Sequence, residues 1–509
     1  MVIAALVLVA APAAAQSAAP RITLSQGVLD GRTSEGVDSF KGVPFAAPPV
    51  GDLRWRPPAA APAWTGVRDA SAFGPACMQR SPYEPNLAVS EDCLTLNVWT
   101  PSDRPRGAKL PVMVWIYGGG FIIGASSQPG IDGTHLAQRG VVLVSLNYRL
   151  GRFGFFAHPA LDAGPAPVAN YGLMDQIAAL KWVRDNIGAF GGDPGNVTVF
   201  GESAGGMSVN FLMASPAARG LFAKAISQSG FGRAGGLPLR KSDGGSVEGA
   251  ILRLTKTDAE DIGLSFAKKN GIDGVDAAAA QALRALPAET INAPYAGWSD
   301  PALPIPAIDG QIVTQPPANA FAKGEQAHVP FMVGSVSYEA SLFPMLTKAP
   351  EPALARLGGA RATAISLYGG DDLGRTAASI MRDTMVSEPN RYLARQTAAA
   401  GLSAFVYYFS YVPAATRAGA PGASHGDDVR YVFGNLPPAS TAEDQAISHA
   451  MMAYWTAFAR TGDPADAGGP RWPSISKGAD PVLEFSGDGE RVTPDFQKQK
   501  LDWAESIGK

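Results

Sequence analysis

Three stretches of the chain are nearly unbroken runs of apolar residues bounded by glycine. They are "LPVMVWIYGGGF" (Leu110 to Phe121), "GVVLVSLNYRLG" (Gly140 to Gly151) and "NVTVFG" (Asn196 to Gly201). A half-exposed strand would alternate apolar and polar positions, so continuous runs predict strands buried on both faces. Between the second and third lies "GLMDQIAALKWVRDNIGAFGGDP". Leu173, Ile177, Leu180, Val183 and Ile187 fall there at helical spacing and predict an amphipathic helix that Gly188 closes. Strand, helix, strand, helix is the pattern of an open α/β sheet covered by helices. Strand-like runs return at Val329 to Val336 and Ser403 to Val412, and "AEDQAISHAMMAYWTAFARTG" predicts a long helix near the end. The first hundred residues read as strand and loop with aromatic and proline punctuation. Short Ala-rich helical pieces, such as "VDAAAAQALRALPAETI", occupy about 232–304, and a second helical region is expected at 343–400. Both are read as cap-like insertions over the sheet. Nothing resembles a flexible linker or a fixed-period repeat, so residues 20–509 are expected to form one large domain.

Composition narrows the class of protein. With 509 residues, 46% hydrophobic and 17% charged, the chain can bury a large core. A formal net charge of −3 leaves no basic footprint, which argues against nucleic acid as a partner. Gly 58 and Pro 42 imply many turns and long loops. The apolar run from Val2 to Ala11 is too short to span a bilayer. Ala13-Ala14-Ala15 before Gln16 has the small-x-small form of a signal-peptidase site, although a positively charged leading region is missing. Residues 1–15 are therefore expected to be a signal peptide, with a secreted or periplasmic destination. No later segment reads as transmembrane. The only two cysteines, Cys77 and Cys93, are more simply a disulfide than a metal site in an exported chain.

One serine is oddly placed. In "NVTVFGESAGGMSV", Ser203 has Gly201 two residues before it and Gly205 two residues after, with a β-rich run in front and a helix-compatible run behind. A G-x-S-x-G turn from strand to helix pushes the serine Oγ out above the strand ends, with the next residue's N–H facing the same space. Ala204 would supply that N–H. An unaided hydroxyl is a weak nucleophile and needs a base, and the developing oxyanion needs donors. Gly118, Gly119 and Gly120 follow a buried strand and can curl their N–H groups toward one point; no Lys-Ser/Thr follows them, which argues against a phosphate loop. Of five histidines, His135 and His158 precede the serine, while His328, His425 and His449 follow it. Around such turns the order is Ser, acid, His. His425, in the glycine-flanked loop "GASHGDDVRYVFG", is favoured because a loop beyond a strand end can swing over the serine. Many acids lie between. Glu339 in "FMVGSVSYEASLF" comes just past an apolar strand and is favoured by position, with a solvated loop acid as the alternative. Apolar residues after the glycines, Phe121 and Ile122, and those after the acid, Leu342 and Phe343, are expected to line the substrate pocket.

Together, "EDCLTLNVW", "WIYGGGF", "NYRLGRFGFF", "YGLMDQIAALKWVRDNIGAFGGDP", "VTVFGESAGG", "AISQSG" and "SHGDDVRYVFG" resemble the type-B carboxylesterases, a family that includes the cholinesterases. The resemblance runs from roughly Gly27 to Trp472-Pro473. It implies the α/β-hydrolase fold and a serine hydrolase that cleaves carboxylic esters through an acyl-enzyme, without metal or organic cofactor. Carried over, Ser203 is the nucleophile, His425 the base and Glu339 the acid, with Gly119, Gly120 and Ala204 as oxyanion donors. Cys77 and Cys93 resemble the family's first disulfide, and Glu202 and Ser229 resemble accessory polar residues beside the triad. Two departures stand out. Where the family usually has Asp-Glu-Gly, this chain has Tyr338-Glu339-Ala340, and the Cys77–Cys93 loop carries no tryptophan, only Tyr83. A choline site needs an aromatic face for cation–π attraction, so choline esters are disfavoured. The implied partner is a small-molecule ester met by a monomer or weak homo-oligomer. The rival readings are a non-catalytic binding or adhesion protein on the same fold, and an amidase or thioesterase using the same triad.

Overall fold

The computed structural model describes residues 19–162, 168–233, 237–241, 258–296, 300–476 and 478–508. The expected signal segment 1–15, and parts of the 232–304 insertion, lie outside the described residues. One 11-stranded sheet dominates. In chain order its strands are β1 (Arg32–Ser34), β2 (Val37–Pro44), β3 (Thr95–Pro101), β4 (Leu110–Ile116), β5 (Val142–Leu146) and β6 (Gly192–Glu202). They continue as β7 (Lys224–Gln228), β8 (Phe331–Val336), β9 (Ala404–Phe409), β10 (Val482–Ser486) and β11 (Gly489–Thr493). Across the sheet the order is β11-β10-β9-β8-β7-β6-β4-β5-β3-β2-β1. The middle, from β5 to β10, is parallel, and the pairs at both margins are antiparallel.

The apolar runs explain the middle of this sheet. Every residue of β5, β7, β8 and β9 is buried, as strands with helices on both faces require. Trp115 of β4 packs on Phe200 of β6 with ring centroids 4.8 Å apart, and both contact Phe433. The covering helices include α1 (Tyr171–Asn186), α2 (Ala204–Ala214) and α3 (Ala442–Thr461). A capping box starts α3: the Thr441 hydroxyl accepts the Asp444 N–H while the Asp444 carboxylate accepts the Thr441 N–H.

Two boundaries differ from the sequence reading. Gly188 does not close the helix: after Asn186 the chain tightens to a 3-10 turn, Ile187–Phe190, and Gly191 supplies the left-handed end at φ 83°. The run Gly140 to Gly151 is a strand only over Val142–Leu146. Beyond it, the Asn147 N–H donates to the Thr95 carbonyl at the start of β3 and its side-chain oxygen accepts the Ser126 N–H, so this backbone has left the parallel ladder with β4. In the 232–304 region, helices Ala259–Lys269, Ala277–Ala285 and Ala288–Ile291 share a satellite core with Trp55, Phe153 and Phe156. Pro287 separates the last two. Over 343–400 the helices are Met345–Lys348, Glu351–Ala355, Arg361–Tyr368, Leu373–Arg382 and Glu388–Ala399.

Candidate active site

Ser203 alone makes the turn between β6, which ends at Glu202, and α2, which begins at Ala204. Its backbone sits at φ 57°, ψ −123°, a conformation costing about 1–3 kcal/mol for a residue with a side chain. The cost is offset by bonds on both sides: the Ser203 N–H donates to the Gln228 carbonyl at 2.9 Å, and its carbonyl accepts the Met207 N–H at 2.8 Å. The flanking glycines are set by crowding. A Cβ at Gly205 would lie 2.0 Å from the Ile116 carbonyl oxygen, and one at Gly201 would lie 2.6 Å from the same oxygen. Strand and helix pass each other over the end of β4 with no room for a side chain.

The glycine run after β4 closes the other side. A Cβ on Gly118 would come within 2.9 Å of both Ser203 Cβ and Glu202 Oε2, so this backbone rests directly on the serine turn. Gly119 and Gly120 adopt φ +100° and +60°. The Gly119 carbonyl accepts the N–H groups of Ile122 and Ile123, each at 3.1 Å. Neither Gly119 nor Gly120 donates its own N–H to another backbone group among the described residues. Ala204, at the first position of α2, has no intrahelical acceptor. Uncommitted amide donors beside a serine are what a developing oxyanion requires.

Glu339 follows the end of β8 and is fully buried. Its Oε1 accepts the Ser229 hydroxyl at 2.7 Å and the Val336 N–H at 3.0 Å, and its Oε2 meets His425 Nδ1 at 2.5 Å. Three partners lock this carboxylate in one orientation. His425 lies in the loop after β9, and its N–H donates to Ser341 Oγ at 2.9 Å. The Phe231 ring stands 6.1 Å from the imidazole. Ser203, Ser229, Glu339, His425 and the glycine run therefore all sit beyond the carboxyl ends of parallel strands, where open α/β sheets bind ligands.

The far side of the imidazole faces Glu202. His425 Nε2 and Glu202 Oε1 are 3.1 Å apart, yet both are buried and neither makes a hydrogen bond to a protein atom among the described residues. His425 Nε2 is therefore not hydrogen-bonded to Ser203 Oγ here; catalytic hydrogen bonds of this kind often tighten only with substrate. Burial works to lower the His425 pKa, but the Glu202 and Glu339 carboxylates outweigh it and push the imidazole up to about 9. Burial pushes Glu202 up to about 8, against the pull of His425. The two groups are coupled through that contact, and the site holds protons that isolated side chains would release.

The other histidines stand elsewhere. His158 is buried with Nδ1 accepting the Ala160 N–H, His328 bonds the Gly324 carbonyl, His135 contacts Gln138, and His449 is exposed on α3. Of the four residues expected to line a pocket, Phe121 is 2% exposed and its ring meets Phe155 edge-on at 5.1 Å. Its place is in the core beneath the glycine run. Ile122, Leu342 and Phe343 are half-buried, and Phe343 packs with Ala340, Ala378 and Met381. Cys77 and Cys93 form a buried disulfide. Sequence reasoning passed over Ser341, Phe231, Gln228, Tyr407 and Asp428. Asp428 lay inside the quoted "SHGDDVRYVFG", but nothing in its spacing separates it from Asp427.

Comparison with known proteins agrees with this geometry. The model of the carboxylesterase family matches residues 18–356 and 368–504. The fumonisin B1 esterase of Sphingopyxis macrogoltabida is 35% identical, covering 95% of this chain and 91% of that one. The para-nitrobenzyl esterase of Bacillus subtilis is 36% identical, covering 89% and 92%. Among solved structures, a Geobacillus stearothermophilus carboxylesterase superposes with a TM-score of 0.78 at 33% identity, over 95% of this chain and 99% of that one. A strained serine between two crowded glycines, uncommitted amides beside it and relatives of this extent lead to one conclusion: the chain belongs to the carboxylesterase family and is a serine hydrolase that cleaves carboxylic esters.

Proposed function

We propose that Ser203, His425 and Glu339 carry out the hydrolysis as nucleophile, base and acid. The observation that carries the reading is the Glu339 Oε2–His425 Nδ1 contact at 2.5 Å, made beside the serine turn by a carboxylate that Ser229 and Val336 hold still. Glu339 fixes the tautomer that leaves Nε2 free to accept a proton, and it stabilises the imidazolium once formed. As Ser203 Oγ attacks the ester carbonyl, Nε2 takes the hydroxyl proton, and the N–H groups of Gly119, Gly120 and Ala204 receive the oxyanion. The tetrahedral adduct collapses, His425 protonates the departing alcohol, and Ser203 is left acylated. Water then repeats the sequence and releases the acid. Each preset oxyanion donor is worth about 3 kcal/mol of barrier.

The fumonisin and para-nitrobenzyl esters named for the relatives mark this chain's first substrates to try. Export to the periplasm or medium is proposed on the Ala13–Ala15 site and the Cys77–Cys93 disulfide, which an oxidising compartment maintains. The test of the catalytic reading is Ser203→Ala assayed with p-nitrophenyl acetate. Loss of roughly 10^6-fold in kcat is expected from removal of the nucleophile. A folded variant that keeps turnover well above the uncatalysed rate would overturn it. Matched ester and amide substrates decide against amidase activity if only the ester is cleaved.

A further inference from the structure

Three residues beyond His425 lies a third buried acid, Asp428, with no surface exposed. Asp428 Oδ2 accepts the Gln228 side-chain N–H at 2.9 Å and the Tyr407 hydroxyl at 2.7 Å, while its buried Oδ1 bonds no protein atom among the described residues. Gln228 is held in turn, since its side-chain oxygen accepts the Trp455 indole N–H at 3.2 Å. Gln228 is also the residue whose carbonyl accepts the Ser203 N–H. One residue at the end of β7 thus grips the nucleophile turn through its backbone and the base loop through its side chain.

A buried carboxylate is expensive, and two apolar residues could close the loop more cheaply. What distinguishes a carboxylate is its charge, and charge matters here because His425 becomes positive during the reaction. We propose that Asp428 is a positioning residue for His425, tying the base loop to β7 beside the nucleophile turn through Gln228 and to β9 through Tyr407, and adding a further negative charge near the imidazolium. The inference rests on His425 being the base. The titratable groups around Asp428 are Tyr407 on β9, Glu339 after β8, Glu202 at the end of β6 and His425 itself. Burial pushes Asp428 up to about 6, and the Tyr407 and Gln228 donors work against that rise. It is ionised at neutral pH and loses its charge in mild acid.

The test compares full-length Asp428→Asn, Asp428→Ala and Tyr407→Phe with the parent enzyme, using p-nitrophenyl acetate across pH and a thermal melt. Asn at 428 keeps an oxygen for both donors and removes only the charge. It should lower kcat by about 10-fold at little changed KM and move the acidic limb of kcat/KM to lower pH by roughly half a unit, because one negative charge no longer supports the protonated imidazole. Ala at 428 should lose more, since the loop also loses its tie. Phe at 407 removes one donor from the carboxylate, so its deficit should be larger at pH 6 than at pH 9. That variant decides the matter if neither change at 428 folds. An Asp428→Asn enzyme matching the parent in kcat and limb, or a Tyr407→Phe deficit that is absent or independent of pH, would overturn the proposal. His425→Ala run alongside reports on the base assignment separately: its inactivity with an unaffected Asp428→Asn sinks only the role of Asp428.

Discussion

The nucleophile turn and the base loop are held by different forces. Around Ser203 the constraints are backbone ones: Gly201 and Gly205 pass the Ile116 carbonyl too closely for a Cβ, and Gly118 rests on the serine itself. Around His425 they are side-chain bonds, from Ser341 Oγ to its N–H, from Glu339 to its ring, and from Asp428 three residues on to Gln228 and Tyr407. A backbone constraint admits one residue type and shows in the sequence as glycine. A side-chain constraint can be met by several residue types at several positions, so it leaves no spacing to read. The nucleophile side should therefore fail abruptly when altered, whereas the base side should fail by degrees.

The largest expected effect is Gly205→Ala. Its methyl would meet the Ile116 carbonyl oxygen at 2.0 Å, and neither backbone can yield without displacing β4 or α2. A loss of 4 kcal/mol or more of stability is expected (about the threshold for exceptional substitutions), together with loss of fluorophosphonate labelling. A melt within a few degrees of the parent would break the claim that crowding sets this turn.

Next is Glu339→Gln. The amide fits the same space but presents the wrong group to Nδ1, and kcat should fall by about 10^4-fold with the melt little changed. Retained activity would remove Glu339 from the site despite its 2.5 Å contact. Ser341→Ala comes third. It takes away one bond to the His425 N–H, and about 1–3 kcal/mol lost from kcat/KM, roughly 5- to 150-fold, is the expected range for an orphaned buried donor. A collapse as deep as that of Gly205→Ala would erase the contrast between the two sides.

The smallest effect, and the sharpest in direction, is Glu202→Gln. Glu202 is the strongest charge raising the His425 pKa. Activity needs the imidazole neutral in the free enzyme, so the parent's acidic limb should lie above the ordinary imidazole range near 6.5. Replacing the carboxylate should move that limb to lower pH, read from kcat/KM against pH. A shift to higher pH would reverse the sign of the coupling.

Much of this architecture is legible in the chain. Unbroken apolar runs mark the parallel strands because burial on both faces forbids polar alternation, and the elbow is visible because crowding demands glycines two residues either side of Ser203. Helix and strand ends are less visible. Gly188 and Gly191 look alike, and only the 3-10 turn through Phe190 decides which takes the left-handed conformation. Phe121 follows the glycines as a pocket residue would, yet its positive φ of 65° accompanies a ring buried against Phe155. Glu339 and His425 are legible from chain order, from their places past strand-like runs and from resemblance, but no motif as strict as the glycines around Ser203 singles out either. Asp428 and Tyr407 lie 21 positions apart and Asp428 and Gln228 lie 200 apart. Bonds of that kind exist only once the sheet has formed.

The central claim is that Ser203 becomes acylated during turnover. It is tested most directly by quenching the enzyme with p-nitrophenyl acetate at low pH and locating the added acetyl group by peptide mass spectrometry. The account predicts a single acetyl group on the peptide holding Ser203, formed within the burst of p-nitrophenol and absent from Ser203→Ala. A burst in the parent with that peptide unmodified, or with the acetyl group on another residue, would contradict it.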